Sequence, residues 1–158
     1  MKLFLNFPIS STGTTDVFGV ADGVGGWRNH GVDPSRFSRA LVQKLEDLVK
    51  KGEFDVRQPV QLLARAYNRM YAIEDMMGSS TACIVSFDRK TKVLYTANLG
   101  DSGFLVIRDG KVVHQSRPQT HGFNAPWQLS IVPETMRKGS YDRVLEKNSI
   151  SLSNFLNF

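Results

Sequence analysis

The stretch from Asp16 to Trp27 constrains the fold most, because a short apolar run breaks there at an acid and three glycines. The run Val17–Ala21 favours a buried strand that ends at Asp22. The glycines that follow allow the backbone to turn sharply and to approach a bound group closely. A carboxylate beside exposed backbone carbonyls is an oxygen site of the kind that Mg²⁺ and Mn²⁺ prefer. The structural alternative is an acid that caps a glycine-rich turn.

Two helices are predicted after this loop. Asp33 is a suitable N-cap with Pro34 in the first helical position, and apolar residues then recur at helical spacing as far as Leu48. Gly52 follows as a C-terminal cap. A second helix is predicted from about Pro59, where a new apolar stripe begins.

The chain from Ser79 onward has the pattern of strands. It predicts a meander of about four antiparallel strands, which lie at 81–87, 93–97, 103–108 and 112–114. Residues 115–128 are polar and interrupted by proline, which predicts a loop. The order of one strand, two helices and a meander argues for an α+β fold, with helices packed on an antiparallel sheet.

Size, charge and cysteine content exclude several classes of protein. A length of 158 residues allows one domain or part of a larger one, and the net charge of +5 is scattered, so nucleic-acid binding is not expected. No apolar run approaches the roughly 20 residues of a membrane span. The apolar start is broken by Asn6 and Pro8, which argues against a signal peptide. The single cysteine, Cys83, lies in an apolar run and is interpreted as a core residue rather than a reactive thiol.

A second acid, Asp101, lies between two glycines where two predicted strands meet. Alone, the segment 99–103 is equally typical of a plain β-turn. Paired with Asp22 at a comparable strand end, it predicts two carboxylates that converge at one edge of a sheet. The hydroxyls of 79–81 could reach a phosphate, but a hydrogen-bonded turn is the preferred interpretation. The three histidines share no metal-ligand spacing.

Three segments follow one another with the spacing of a known family. The segments at 18–27, 78–82 and 97–103 resemble the metal-dependent protein serine/threonine phosphatases, the PPM or PP2C family. Within that family the chain resembles the PTC7 branch, to which it is similar also at Trp27-Arg28, at 31–34 and at 123–130. The resemblance covers about 16–132.

The resemblance implies a domain division and an architecture. We expect an atypical N-terminal segment at 1–15, a partial phosphatase domain at 16–132 and a divergent tail at 133–158. The implied fold is a partial αββα sandwich, in which antiparallel sheets are flanked by helices. The implied cofactors are Mn²⁺ or Mg²⁺, with two or more ions in the intact domain.

The resemblance also implies a chemistry for three residues. Asp22 matches the catalytic acid that bridges two metals, Gly23 matches the residue that binds metal through its backbone carbonyl, and Asp101 matches the acid near an additional, weaker metal. A metal-activated water would hydrolyse phosphoserine or phosphothreonine in a phosphoprotein substrate, with an arginine helping to neutralise the phosphoryl oxygens. The chain would thus be a hydrolase.

The chain departs from the family pattern in several places. Val24 stands where many members have a histidine, and residues 1–15 contain neither the upstream acid nor the phosphate-binding arginine of the family. After Leu129 no acid has the expected Asp-Gly or Asp-Asn context. We therefore expect a domain shortened at both ends, whose turnover is in doubt. The alternative is a non-catalytic, phosphatase-like binding or regulatory module.

Further expectations concern nucleotide binding, the oligomeric state and the cellular compartment. A glycine-rich nucleotide-binding loop is disfavoured, because no P-loop lysine follows the glycines. We expect a monomer without a membrane span. The branch suggests mitochondria, and the cytoplasm otherwise, because no leader is visible.

Overall fold

The computed structural model describes residues 5–133, with side chains from residue 13 onward. The interpretation of 133–158 as a divergent tail therefore falls almost entirely outside the described residues. Two helices are present in the described part, α1 (Pro34–Lys50) and α2 (Pro59–Met70), together with a 3₁₀ helix at Gly25–His30. None of the described helices is both long and apolar enough to cross a membrane.

Ten strands occur in the described residues. They are β1 (Leu5–Thr12), β2 (Thr15–Ala21), β3 (Gly78–Ser80), β4 (Ala82–Asp88), β5 (Val93–Leu99), β6 (Leu105–Arg108), β7 (Lys111–Gln115), β8 (Thr120–Gly122), β9 (Ala125–Pro126) and β10 (Leu129–Ile131). Strands β1, β2, β4 and β5 form one antiparallel sheet in the order β1-β2-β4-β5. The others pair in twos, β3 with β10, β6 with β7 and β8 with β9.

The core lies between the two helices and one face of the four-stranded sheet. Side chains alternate between the faces of a strand, so every second residue of β2, β4 and β5 faces the helices. The buried sheet residues of this core are Val17, Ala21, Ala82, Ile84, Ala97 and Leu99. The prediction of an α+β fold with helices on an antiparallel sheet is confirmed.

Helix α1 follows its sequence signals closely. The side chain of Asp33 accepts a hydrogen bond from the Ser35 amide at 3.0 Å and caps the helix. The stripe that includes Phe37 and Leu41 is fully buried. Gly52 has a φ of 68°, and the next amide, that of Glu53, donates to the Leu48 carbonyl at 2.9 Å. Both ends of the helix are therefore where the caps predict them.

Three parts of the chain differ from expectation. No strand was predicted within the atypical segment 1–15, but residues 5–12 form β1 and pair with β2. The register shifts between Pro8 and Ser10, which shows how an edge strand accommodates a proline. The predicted loop at 115–128 contains the β8–β9 hairpin. The predicted meander is divided, because β4 and β5 join the main sheet whereas β6 and β7 form a separate ribbon.

Candidate active site

Asp22 follows the last residue of β2, and its backbone is held by the chain after β3. Its carbonyl accepts hydrogen bonds from the Thr81 amide and the Ser80 hydroxyl, both at 3.0 Å. Its amide donates to Oγ1 of Thr81 at 3.3 Å. The strand end is therefore fixed while the half-buried side chain lines an open cleft.

Gly23 lets this strand end approach helix α1. It forms an isolated antiparallel bridge with Ser80. A Cβ atom at this position would lie 2.0 Å from the carbonyl oxygen of Pro34, so a larger residue would force the strand and the helix apart. Gly25 and Gly26 have no such neighbour within 4 Å, and their lack of side chains leaves the cleft open.

Asp101 follows the end of β5 in a loop that packs closely on the Thr81 segment. Gly100, with a φ of 93°, lies where a Cβ atom would be 2.6 Å from Cγ2 of Thr81 and 2.6 Å from the carbonyl oxygen of Trp127. The hydroxyls of Thr81 and Ser102 are 2.7 Å apart. Thr81 thereby ties the loop of Asp101 to the strand end of Asp22.

The three residues expected at the site lie on the same cleft. It has a volume of about 600 Å³ and is lined by Asp22, Gly23, Val24, Gly25, Gly26, Arg28, Asp33, Pro34, Ser35, Ser38, Thr81, Asp101, Asn124 and Pro126. The structure thus brings Asp22 and Asp101 to one edge, from two separate strands. It adds Arg28, Asp33 and Asn124, which the sequence analysis did not assign to the site. Asn124 comes from the predicted loop, and the family resemblance at 123–130 was the available signal for it.

Arg28 is the only cationic side chain among the described residues that line the cleft. It lies on the 3₁₀ helix, next to Trp27, which is only 7% exposed and donates from Nε1 to Oγ of Ser79 at 2.6 Å. The helix ends at Gly31, which is left-handed and donates to the Arg28 carbonyl at 3.0 Å. The Trp27-Arg28 pair was noted as part of the family resemblance, and that was the available signal for this residue.

The described part of the cleft carries more negative than positive charge. Asp22, Asp33 and Asp101 contribute carboxylates against the single guanidinium of Arg28. Hydrogen bonds from the backbone and side chain of Ser35 lower the pKa of Asp33, and the charges of nearby arginines lower it slightly further. A phosphate dianion entering this cleft would therefore need additional positive charge.

The oxygen atoms available in the cleft are of the type that hard divalent cations bind. Two carboxylates, Asp22 and Asp101, and the backbone of Gly23 offer oxygen ligands, which Mg²⁺ and Mn²⁺ prefer. Within the described residues, no three His, Cys, Asp or Glu side chains form a group that could hold a metal ion. Octahedral ions can take the remaining ligands from water and phosphate oxygens. The residues present therefore fit such an ion as part of a ligand set.

The remaining candidates have structural roles. The Ser79, Ser80 and Thr81 hydroxyls bond to protein atoms. The prediction of a turn here is wrong, because Gly78–Ser80 form β3 and pair with β10. The three histidines pack against aromatic rings rather than against one another. The pairs are His30 with Trp27, His114 with Phe104, and His121 with Trp127.

Comparison with known proteins identifies a matching family model and similar relatives of this chain. A family model described as Protein phosphatase 2C matches residues 3–122. The Protein phosphatase PTC7 homolog of Xenopus laevis is 56% identical over 121 residues, which are 76% of this chain and 41% of the relative. The homolog of Homo sapiens is 55% identical over 121 residues, 76% of this chain and 40% of the relative. The chain thus spans about two fifths of the length of these relatives.

A solved structure resembles the whole chain. The X-ray structure of the photosystem II phosphatase PBCP has a TM-score of 0.72 and 30% sequence identity, and the match covers 99% of this chain and 53% of that one. The stretch matched by the family model includes the strand ends of Asp22, Gly23 and Asp101.

Proposed function

Because the chain belongs to the protein phosphatase 2C family, we propose that its cleft hydrolyses phosphoserine and phosphothreonine in phosphoproteins with the help of Mn²⁺ or Mg²⁺. The observation that carries the proposal is that Asp22, Gly23 and Asp101, from two different strand ends, line one cleft. The similarity of the fold to a solved phosphatase structure supports the same reaction class.

Three residues would hold the cations. Asp22 binds through its carboxylate and Gly23 through its carbonyl, while Asp101 contributes to a weaker, additional position. When bound, such cations acidify water and neutralise charge on phosphoryl oxygens. The Thr81–Ser102 contact links the segments that carry the two acids, which favours a defined arrangement of oxygen ligands of the kind that Mg²⁺ demands.

Arg28 would bind the phosphoryl group of the substrate. A guanidinium presents a planar fork of N–H donors that matches two phosphate oxygens. The anchoring of Trp27 on Ser79 fixes the turn that carries this side chain. Arg28 is also the cationic side chain that the described part of the cleft offers for this contact.

The similarity to PTC7 homologs is consistent with mitochondria, which we propose as the location of the protein. Fluorescent tagging of the gene product in cells would test it. A uniformly cytosolic signal would contradict it.

The test of the function is Mn²⁺-dependent release of phosphate from a phosphopeptide by the full chain. We expect Asp22→Asn to lower this release by at least about 100-fold, because even changes to groups around a metal ligand cost 10–100-fold. Asp109→Asn is the matched control, since Asp109 lies in the β6–β7 turn and does not line the cleft. Absence of Mn²⁺-dependent release from the unaltered chain would refute the proposal.

Calorimetric titration with Mn²⁺ separates catalysis from the alternative, a phosphatase-like binding or regulatory module. Micromolar binding that is lost in Asp22→Asn favours the enzyme. A silent titration together with intact phosphopeptide binding favours the module. The basis for retaining this alternative is that the cleft offers only part of a ligand set among its described residues.

A further inference from the structure

The β8–β9 hairpin presents an aromatic side chain at its tip. The turn consists of Phe123 and Asn124, and the side chain of Phe123 is fully exposed, at 103% of the reference area. Asn124 has a φ of 52°, a left-handed conformation that asparagine adopts more readily than most residues. Full exposure means that Phe123 contributes no burial to the described fold.

The base of this hairpin is fastened to the loop of Asp101. The Gln119 amide donates to the Gly100 carbonyl at 2.8 Å, and the Trp127 amide donates to the Gln119 carbonyl at 3.1 Å. The rings of His121 and Trp127 lie with centroids 5.1 Å apart. The base of the hairpin that bears Phe123 is therefore hydrogen-bonded to the loop that contains Asp101, a residue of the proposed metal site.

The hairpin also forms part of the wall of the cleft. Asn124 and Pro126 line it, and Phe123 is the neighbour of Asn124 in the turn of the same hairpin. The volume of about 600 Å³ lies within the range of sites that hold drug-sized ligands, which is far larger than a phosphoryl group needs. The cleft therefore has room for residues that flank a phosphorylated side chain.

We propose that the hairpin at 120–126 is a substrate-recognition arm, in which Phe123 contacts an apolar side chain close to the phosphorylated residue of a phosphopeptide. The inference rests on the proposed function, since it assumes that a phosphorylated residue occupies the cleft. Arg28 and Phe123 then offer two chemically different contacts, one for the phosphate and one for an apolar neighbour. Aromatic residues suit this task because they provide a large contact area at a small cost in conformational entropy.

The experiment measures the binding of labelled phosphopeptides to the full chain by fluorescence anisotropy in the presence of Mn²⁺. The peptides share one phosphoserine in a Gly/Ser background and differ in the place of a single leucine, from three residues before to three residues after it. We expect the preferred position to bind roughly tenfold more tightly than the leucine-free peptide, the gain from burying about 55 Å² of apolar surface. Phe123→Ser removes this preference.

Ile107→Ser is the matched control, because Ile107 is also a large exposed apolar residue, at 64%, but lies in β6 and not in the hairpin whose residues line the cleft. We expect the Ile107→Ser variant to retain the leucine preference. Circular dichroism of both variants verifies that they are folded. The arm is refuted if the unaltered chain shows no preference, if no peptide binds, or if Phe123→Ser keeps the preference.

Hydrolysis of p-nitrophenyl phosphate by the unaltered chain is measured separately. This small ester has no flanking residues, so its turnover reports on the phosphatase reaction without the arm. No turnover together with a leucine preference that Phe123 controls rejects the catalytic proposal and leaves the arm standing. Turnover of this ester without any leucine preference rejects the arm and leaves the catalytic proposal standing.

Discussion

Single residues at the ends of two strands determine the geometry of the cleft. The sequence shows that Gly23 and Gly100 are positions of close approach or sharp turning, because glycine permits both. It does not show what they approach. The contacts are with carbonyl oxygens of Pro34 and Trp127, which are distant along the chain and meet the glycines only in the folded structure. Residue patterns thus predicted the need for glycine but not its partner.

The burial of Cys83, again a single residue, leads to a prediction for how the stability of the fold depends on pH. Cys83 is 2% exposed, as its interpretation as a core residue requires, and burial raises its pKa from the ordinary value of 9.0 to about 11. The folded state therefore favours the neutral thiol. Its stabilising contribution is complete below pH 9 and is lost as the pH rises from 9 towards 11, when only the unfolded thiol ionises readily. The loss amounts to about 2–3 kcal/mol.

Urea denaturation across this pH interval measures the effect. Cys83→Ala removes the ionisable group, so the free energy of unfolding of this variant should fall less steeply than that of the unaltered chain. Lysines and tyrosines titrate in both proteins and cancel in the comparison. Equal slopes for the two proteins would show that Cys83 ionises as easily in the folded state as in the unfolded state.

At the scale of elements, periodicity and capping located the helices but not every strand. Helix α1 combines an N-cap, an apolar stripe and a glycine stop, and these signals act locally. Strand β1 contains Pro8 and a polar end, so its pairing depends on β2 rather than on its own propensity. The β8–β9 hairpin is too short and too polar for alternation to be visible.

The 3₁₀ helix gives a prediction for an element. Trp27→Phe removes the hydrogen bond from Nε1 to the buried hydroxyl of Ser79, at 2.6 Å in the structure. We expect the free energy of unfolding to fall by about 1–3 kcal/mol, because the hydroxyl is left without its donor. Phosphopeptide binding should weaken as well, since the turn that carries Arg28 loses its anchor.

A double-mutant cycle with Ser79→Ala isolates this bond. The two substitutions together should cost less than the sum of their separate effects, by about 1 kcal/mol, because each removes the same interaction. Urea denaturation provides the four free energies. Strictly additive effects would mean that the contact does not stabilise the turn.

At the scale of the whole molecule, apolar side chains remain on the surface of the described part. Residues of β6 and β7 account for much of this, including Ile107 and Val112, which are 64% and 57% exposed and directly opposite each other in the register. Alternation in the sequence predicted these strands correctly as a hairpin. It did not show that they leave the main sheet, because strand order depends on long-range pairing.

This surface leads to a prediction for the isolated chain. Exchanging both Ile107 and Val112 for threonine should lower the binding of the dye ANS and raise the solubility limit, since contiguous exposed apolar area promotes dye binding and association. The melting temperature should change little because neither side chain is buried. Exchanging the buried Leu45 for threonine is the contrasting variant and should lower the melting temperature strongly. Undiminished ANS binding after the double exchange would contradict the prediction.

The family resemblance contributed information that neither periodicity nor composition contains. Turn chemistry alone left Asp101 ambiguous between a β-turn and a ligand. Its place on the same cleft as Asp22 depends on the antiparallel pairing of β2, β4 and β5, which brings the two strand ends together. Such pairing is a property of the whole sheet and cannot be read from any window of the sequence.

The hydrogen bond between the hydroxyls of Thr81 and Ser102 links the strand end that carries Asp22 to the loop that carries Asp101. The same Thr81 oxygen also accepts a hydrogen bond from the Asp22 amide, so one side chain contacts both strand ends. We therefore expect a substitution of Thr81 to disturb the supports of both acids at once, although Thr81 is not itself a proposed metal ligand.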